Sequence, residues 1–385
     1  MTMRSARRAS WRWAWWFPVL LGVVSLGATL APAPASADTL RAKQWWVDAL
    51  KIPAAQRLST GRGVMVAVID SGVDAGNPDL AGRVSGGTST LVGDPNAEID
   101  KDGHGTAMAT DIGAAGGNGR PVGVAPAVRI MPVRTDPSSV ADTVTGIRYA
   151  VDHGAQVINI SQGGRGQALP EEVAALRYAM AHDVVVVAAS GNADDGVADV
   201  ITPANVPGVV AVNGVDNAMR FWSGSSYGPE SVLSAPATDM VSAWSRQAHA
   251  QGSYRLADGT SDAAAIVAGV AALVRSRYPR MSAANVINRL IRTANDPDGA
   301  GRSERYGFGI VDPVRALTAD VPTVERNPLL PKAEPSPSTQ DSEAAANTGG
   351  SPLPWIIAAV AALVVVLLVL PLALRRRARR DRPRR

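Results

Sequence analysis

Between residues 38 and 317, short runs rich in valine and isoleucine alternate with longer alanine-rich stretches. The runs are four to six residues long and apolar apart from Asn159. Such runs are expected of strands buried on both faces. Their alternation with helices is typical of an α/β domain with a mainly parallel central sheet. The predicted strands are 64–69, 157–160, 184–188 and 209–212, and the predicted helices are 105–115, 140–152, 170–182, 261–277 and 282–294.

Two further apolar segments flank this domain. Residues 1–37 combine four arginines, an apolar run and a final Ala-Ser-Ala, which is the pattern of a secretory signal peptide cleaved before Asp38. An uncleaved anchor is the alternative. Residues 351–374 carry no charge, and as a helix they would reach about 36 Å, enough to span a bilayer. The arginines of 375–385 then predict a cytoplasmic tail.

We therefore expect a single-pass protein of the cell membrane whose main domain is extracytoplasmic. Its linker is rich in Pro and Ser, lacks periodicity, and is predicted to be disordered. The predicted segments are a signal peptide 1–37, an N-terminal extension 38–60, a main domain 61–318, a linker 319–350, a transmembrane helix 351–374 and an Arg-rich tail 375–385.

Charge and cysteine content exclude several functions. The net charge of +4 comes from the two ends: without the four arginines of 1–37 and the net seven positive charges of 375–385, the rest carries about −7. A cationic nucleic-acid-binding face on the main domain is therefore not expected, and we predict no nucleic-acid partner. The chain has no cysteine, which excludes disulfides, thiol catalysis and cysteine-ligated metals.

Three motifs predict a nucleophilic catalytic site. The strand VMVAVI runs directly into Asp70, DGHGT places His104 between glycines at a predicted helix start, and GTS opens an alanine-rich helix at Ser261. A serine hydroxyl needs a base to take its proton and a carboxylate to orient that base. Singly, each residue has an ordinary structural role, as a turn aspartate, a structural histidine or an N-cap serine. The order Asp, His, Ser is that of one known triad arrangement.

A fourth motif, ASGN, ends a predicted strand at Asn192, whose amide can donate to a developing oxyanion. By itself it is a turn.

A competing G-x-S-x-G match around Ser226 is followed by Pro229 and a predicted strand, so it lacks the helix of a nucleophile elbow. His153 and His182 are predicted at helix ends. Calcium is an alternative use of scattered aspartates, but their spacing forms no EF-hand loop and we predict no metal; they are Asp94, Asp100, Asp102, Asp194, Asp195 and Asp199.

The motifs VAVIDSGV, DGHGT, ISQGG, ASGN and GTSDAAAIVAGVAALV together resemble the subtilisin-like serine peptidases of the S8 family over residues 60–317. This resemblance implies a three-layer fold with a mainly parallel sheet. It also implies a triad of Asp70, His104 and Ser261 and an oxyanion donor at Asn192. Backbone pairing with an extended substrate would involve four consecutive residues, Ser161, Gln162, Gly163 and Gly164.

The signal peptide, the Gln44-Trp45-Trp46 segment, the linker, the single span and the basic tail together resemble the mycosins of actinobacterial type VII secretion. One departure from the subtilisin pattern is Asp262, where methionine is more widespread. A carboxylate in the first helical turn suits the helix dipole, and perturbation of His104 is the alternative.

We therefore expect a membrane-anchored serine endopeptidase that cleaves protein or peptide substrates through an acyl-enzyme, without a cofactor. Its implied partners are the membrane and a type VII secretion complex. A rival hypothesis is a structural subunit or cap of such a complex with little or no proteolysis.

Overall fold

The computed structural model describes residues 39–193, 198–248, 252–299 and 301–331. Its centre is a seven-stranded sheet in which every pairing is parallel, in the order β2-β3-β1-β4-β5-β6-β7. This confirms the α/β prediction. The strands are β1 (Met65–Asp70), β2 (Thr88–Ser89), β3 (Arg129–Arg134), β4 (Val157–Ile160), β5 (Val185–Ala189), β6 (Val210–Val215) and β7 (Leu233–Pro236).

The sheet is buried because its strands are apolar on both faces. Every residue of β4, β5 and β6 is buried, and β1 is buried from Val66 onward. A parallel sheet needs helices on both sides to cover such strands. The main helices are α4 (His104–Gly113), α5 (Val140–Asp152), α6 (Pro170–Ala181), α7 (Thr260–Arg277) and α8 (Ala283–Thr293). Four of them pack as two pairs, α4 with α7 and α5 with α6.

All five predicted helices are therefore present, with ends within two residues of the expected ones. Helix α7 is buried over most of its length and packs on β4, β5, β6 and β7. Beside its start lies an antiparallel hairpin of β8 (Met240–Ala243) and β9 (Tyr254–Ala257).

The N-terminal extension is packed against the main domain. It forms α1 (Leu40–Lys43), α2 (Trp45–Ala49) and α3 (Ile52–Leu58). Gln44 is fully buried, accepts a hydrogen bond from the backbone N–H of Val122 at 2.9 Å and donates to the Val122 carbonyl at 3.2 Å. The Trp46 side chain is also completely buried. These contacts tie the extension to the body of the domain.

A C-terminal arm follows α9 (Pro313–Thr318). Residues 319–331 fall within the predicted linker, yet they hold fixed contacts with the domain. Asn285 binds both the N–H and the carbonyl of Val324, and Asn327 donates to the carbonyl of Gly208 at 2.8 Å. The arm therefore extends the packed structure beyond the expected end of the domain at residue 318.

No helix within the described ranges is both long and apolar enough to cross a membrane. The predicted signal peptide 1–37, the rest of the linker, the predicted span 351–374 and the tail 375–385 lie outside the described residues. The prediction that the chain is anchored by a single C-terminal helix therefore stays a prediction.

Candidate active site

The sequence-predicted residues converge at the carboxyl edge of the sheet. Asp70 is the last residue of β1, Ser161 directly follows β4, and Asn192 follows β5. Open α/β sheets place their binding sites at this edge. His104 begins α4, and Ser261 is the second residue of α7. Because Gly259 is the N-cap of α7, the reading of Ser261 as an N-cap serine is wrong.

Asp70 and His104 form a direct pair, with Asp70 Oδ1 at 2.8 Å from His104 Nδ1. The Asp70 side chain is 2% exposed and the His104 side chain 28% exposed. Burial alone would lower the pKa of His104, but the charge and hydrogen bond of Asp70 outweigh burial and raise this pKa above its ordinary value. The pair can therefore act as a base that is supported by a carboxylate.

Glycine permits this close approach. A Cβ at position 105 would overlap the carbonyl oxygen of Gly72 and lie 3.1 Å from the Asp70 Cβ. Gly103 has φ 104°, a left-handed conformation that favours glycine, and it packs against the Trp244 ring. The glycines of DGHGT thus let α4 start directly beside β1.

Sequence reasoning missed the role of Asp100, which organises the histidine loop. Its Oδ1 accepts from the N–H of Gly103 at 2.7 Å and from the Ser71 hydroxyl at 2.9 Å. Its Oδ2 accepts from the N–H and the hydroxyl of Thr106 at 2.9 and 2.6 Å. Burial raises the pKa of Asp100 despite these donors. An Asp three residues before the helix N-cap was the local signal for this role.

Ser261 and Ser161 hold each other through reciprocal hydrogen bonds. The Ser261 hydroxyl donates to the Ser161 carbonyl at 3.1 Å, and the Ser161 hydroxyl donates to the Ser261 carbonyl at 3.0 Å. In this state the Ser261 hydroxyl is therefore directed to the backbone after β4 rather than to His104. Catalytic hydrogen bonds are often absent or long before substrate binds.

Asn192 is oriented by the residue that precedes Ser261. Its Oδ1 accepts from the backbone N–H of Thr260 at 3.1 Å and from the Thr260 hydroxyl at 3.2 Å. The side-chain NH₂ of Asn192 donates to no group among the residues described. Two N–H donors of Asn192 therefore stay available near the start of α7.

The segment that follows β4 has an unpaired backbone position. Gly164 exchanges two hydrogen bonds with Thr202, at 3.1 and 3.0 Å. Gly163 makes no backbone hydrogen bond to any residue that the structure describes. The Gln162 side chain donates to the Thr135 hydroxyl at 2.7 Å. Gly163 thus offers a free N–H and carbonyl to an added strand. A cavity of about 370 Å³ adjoins this segment and is lined by Gln162, Gly163, Gly164, Val140, Leu169 and Thr202 among others.

The other candidates have structural roles. Ser226 is fully buried and no helix follows it, so the G-x-S-x-G match is not a nucleophile elbow. His153 and His182 are the C-cap residues of α5 and α6, as expected. Asp94 forms ion pairs with Lys101 at 2.9 Å and Arg134 at 2.8 Å. Within the described ranges, no three acidic or histidine side chains cluster to hold a metal ion.

Comparison with known proteins agrees with this geometry. The family model of the subtilase family, peptidase S8, matches residues 61–309. The chain belongs to the subtilase family. Within that family, the chain is 37% identical to subtilisin DY of Bacillus licheniformis over 262 residues, which cover 66% of this chain and 90% of that protein. The subtilase is accordingly a serine endopeptidase.

Among solved subtilases, the structure is similar to MycP1 from Mycobacterium smegmatis, with a TM-score of 0.67 and 29% identity over 79% of this chain and 91% of that one. It is also similar to the MycP3 protease of the type VII (ESX-3) secretion system, with a TM-score of 0.62 and 31% identity over 72% and 88%. The predicted resemblance to mycosins is confirmed by these structures.

Proposed function

We propose that Asp70, His104 and Ser261 form the triad through which this serine endopeptidase cleaves protein substrates. The observation that carries the proposal is the 2.8 Å contact between the buried Asp70 carboxylate and His104, beside the hydroxyl-bearing end of α7. His104 takes the Ser261 proton as Oγ bonds to the scissile carbonyl carbon. It returns that proton to the leaving amine as the C–N bond breaks, and water then hydrolyses the acyl-enzyme. Asp70 stabilises the imidazolium in between.

This mechanism requires the Ser261 hydroxyl to leave the Ser161 carbonyl, which it contacts at 3.1 Å. A substrate amide N–H that donates to the same carbonyl would compete for it. Rotation about the Ser261 side chain would then direct Oγ to His104. Substrate binding would thus activate the nucleophile.

Asn192 and the backbone N–H of Ser261 are the proposed oxyanion donors. The Asn192 amide is pre-oriented because its oxygen is bound by Thr260. Donors fixed before the reaction stabilise the tetrahedral intermediate without reorganisation.

Residues 161–164 are the proposed substrate strand. Strand addition uses backbone hydrogen bonds for affinity and side-chain pockets for specificity. The free N–H and carbonyl of Gly163 would supply the backbone hydrogen bonds. The cavity beside Gln162 and Leu169 would supply a side-chain pocket. An extended polypeptide is therefore the expected substrate.

We further propose that the enzyme is tethered to the cell membrane and acts with a type VII secretion system. Support comes from the likeness to MycP1, described as from the ESX-1 type VII secretion system, at 30% identity and a TM-score of 0.67. The predicted signal peptide, span and Arg-rich tail of the sequence fit that setting.

Fluorophosphonate labelling of the full-length chain in detergent tests the catalytic proposal. Native protein should be labelled, and Ser261→Ala should not. The matched control is Ser226→Ala, which removes the serine of the competing G-x-S-x-G motif and should leave labelling intact. Labelling that survives Ser261→Ala would contradict the triad. A folded native protein that takes no label would favour a structural subunit or cap.

A further inference from the structure

Behind Ser261 lies a buried group of three charged side chains that the mechanism does not use. Asp262, in the first turn of α7, is completely buried, and its Oδ1 accepts from Arg255 of β9 at 2.5 Å. Asp111 lies on α4, the helix that His104 begins, and is also completely buried. Its Oδ1 accepts from the Ser242 hydroxyl of β8 at 2.8 Å.

The second oxygen of each carboxylate lacks a hydrogen-bond donor. Asp111 Oδ2 and Asp262 Oδ2 are buried and bind no donor among the described residues. The two side chains lie within hydrogen-bonding reach of each other. Two carboxylates at such a distance cannot both be ionised in a buried site. One proton between the two oxygens would satisfy both.

The charges then balance. Burial, followed by the nearby charge of Asp262, raises the pKa of Asp111 well above its usual range. With one proton on the pair, a single negative charge remains, and Arg255 neutralises it. Arg255 is held in turn over the Trp244 ring, 5.6 Å from its centroid.

We propose that Asp111 and Asp262 share one proton and, with Arg255, form a charge-balanced cross-link that positions Ser261 relative to His104. The cross-link joins the helix that carries the nucleophile, the helix that carries the base and the β8–β9 hairpin. Its members touch no substrate, so they are positioning residues. Their catalytic effect rests on the proposed function, whereas the shared proton does not.

Beyond its own members, the charged groups that act on this cluster are His104 on α4 and Asp70 at the end of β1. Strand β8 contributes no titratable group. Arg255 lowers and Asp262 raises the pKa of His104, so the two effects on the base oppose each other. Loss of the shared proton at alkaline pH would leave two carboxylates against one guanidinium and push α4 and α7 apart.

The key variant is Asp111→Asn, tested in the full-length chain. Its amide can still donate to Asp262 Oδ2, but it does not titrate. In native protein, kcat/KM should fall at alkaline pH by about tenfold per pH unit above the pKa of the pair. In Asp111→Asn this alkaline fall should be absent, with kcat/KM near neutral pH retained and KM unchanged. An unchanged alkaline limb would overturn the positioning role.

Infrared difference spectroscopy on Ser261→Ala protein tests the shared proton without catalysis. A protonated carboxylic acid band should persist at neutral pH, shift in deuterium oxide and vanish in Ser261→Ala with Asp111→Asn. Asp262→Asn, whose amide can donate to Asp111, is the second variant if Asp111→Asn does not fold. Absence of the band in the parent protein would overturn the proposal. A band in Ser261→Ala protein, together with native protein that shows no peptidase activity, would leave the cluster standing and refute only the proposed function.

Discussion

Thr260 contacts Asn192 Oδ1 twice, through its N–H at 3.1 Å and its hydroxyl at 3.2 Å. The same hydroxyl accepts from the Gly191 N–H at 3.2 Å. Thr260 thereby links the start of α7 to the loop after β5. This link fixes which end of the Asn192 amide faces a substrate.

We expect Asn192→Asp to lower kcat about 10²- to 10³-fold with little change in KM, because a carboxylate keeps the contact with Thr260 but cannot donate to an oxyanion. Steady-state kinetics on a peptide p-nitroanilide would measure this. Thr260→Val, which removes only the hydroxyl, should give a smaller loss of kcat. A change confined to KM in Asn192→Asp would show that Asn192 binds substrate without stabilising the oxyanion.

We expect the raised pKa of His104 to set the acidic limit of activity. The reaction needs the neutral imidazole, so kcat/KM should rise with pH through a pKa above the ordinary value of about 6.5. In Asp70→Asn, burial and Arg255 still lower the pKa of His104, so the rise of kcat/KM with pH should occur at lower pH. The rate itself should drop about 10⁴-fold. A limb at the same pH in both proteins would mean that Asp70 does not support the base.

Gly163 and Gly164 form a matched pair of test positions. A Cβ at 163 would overlap the carbonyl oxygen of Thr202 and lie 3.0 Å from Ile201 Cδ1, whereas one at 164 would meet nothing within 4 Å. Gly163→Ala should therefore displace the substrate strand and destabilise the fold by about 1–3 kcal/mol. Gly164→Ala should be tolerated. Thermal unfolding and kcat/KM measure both, and equal effects would contradict the proposed packing.

We expect Ile201 to limit the size of the substrate side chain that enters the cleft between residues 161–164 and the loop of Gly191 and Asn192. Its methyl groups lie within 3.0 Å of where a Cβ would stand on Gly163 and on Gly191. Ile201→Gly should thus raise kcat/KM for Phe relative to Ala at the residue before the scissile bond, by about tenfold or more. Leu169→Ala, at the neighbouring cavity, is the comparison: a shift of this ratio in Leu169→Ala but not in Ile201→Gly would place that substrate side chain in the cavity. No shift in Ile201→Gly would place that side chain elsewhere.

The sequence predicted the regular elements well where its signals are local. Strand β4 and helix α5 have the predicted ends because their apolar runs and flanking residues act over a few positions. The motifs around Asp70, His104, Asn192 and Ser261 could be found for the same reason. Each is a short sequence at the end of a strand or the start of a helix.

The features that the sequence did not predict depend on contacts between segments that are distant in the chain. Asp262 was expected to interact with the helix dipole or, alternatively, to perturb His104. It does raise the pKa of His104, but it is also held by Arg255 and lies against Asp111, and no local pattern predicts these two partners. The order of the strands likewise follows from long-range pairing. Asp100 is a partial exception: its bonds to Gly103 and Thr106 span at most six residues and could have been anticipated, whereas its bond from Ser71 is long-range.

The C-terminal arm leaves the domain on the side opposite the proposed active site. Asn327 binds Gly208, just before β6, and the arm lines a groove with Val184, just before β5, so it leaves the domain at the amino edge of the sheet. The cleft opens at the opposite edge, after β4 and β5. If residues 351–374 cross the bilayer as proposed, the chain would run to the membrane from the side away from the cleft. The tether would then leave the entrance of the cleft open to a polypeptide substrate.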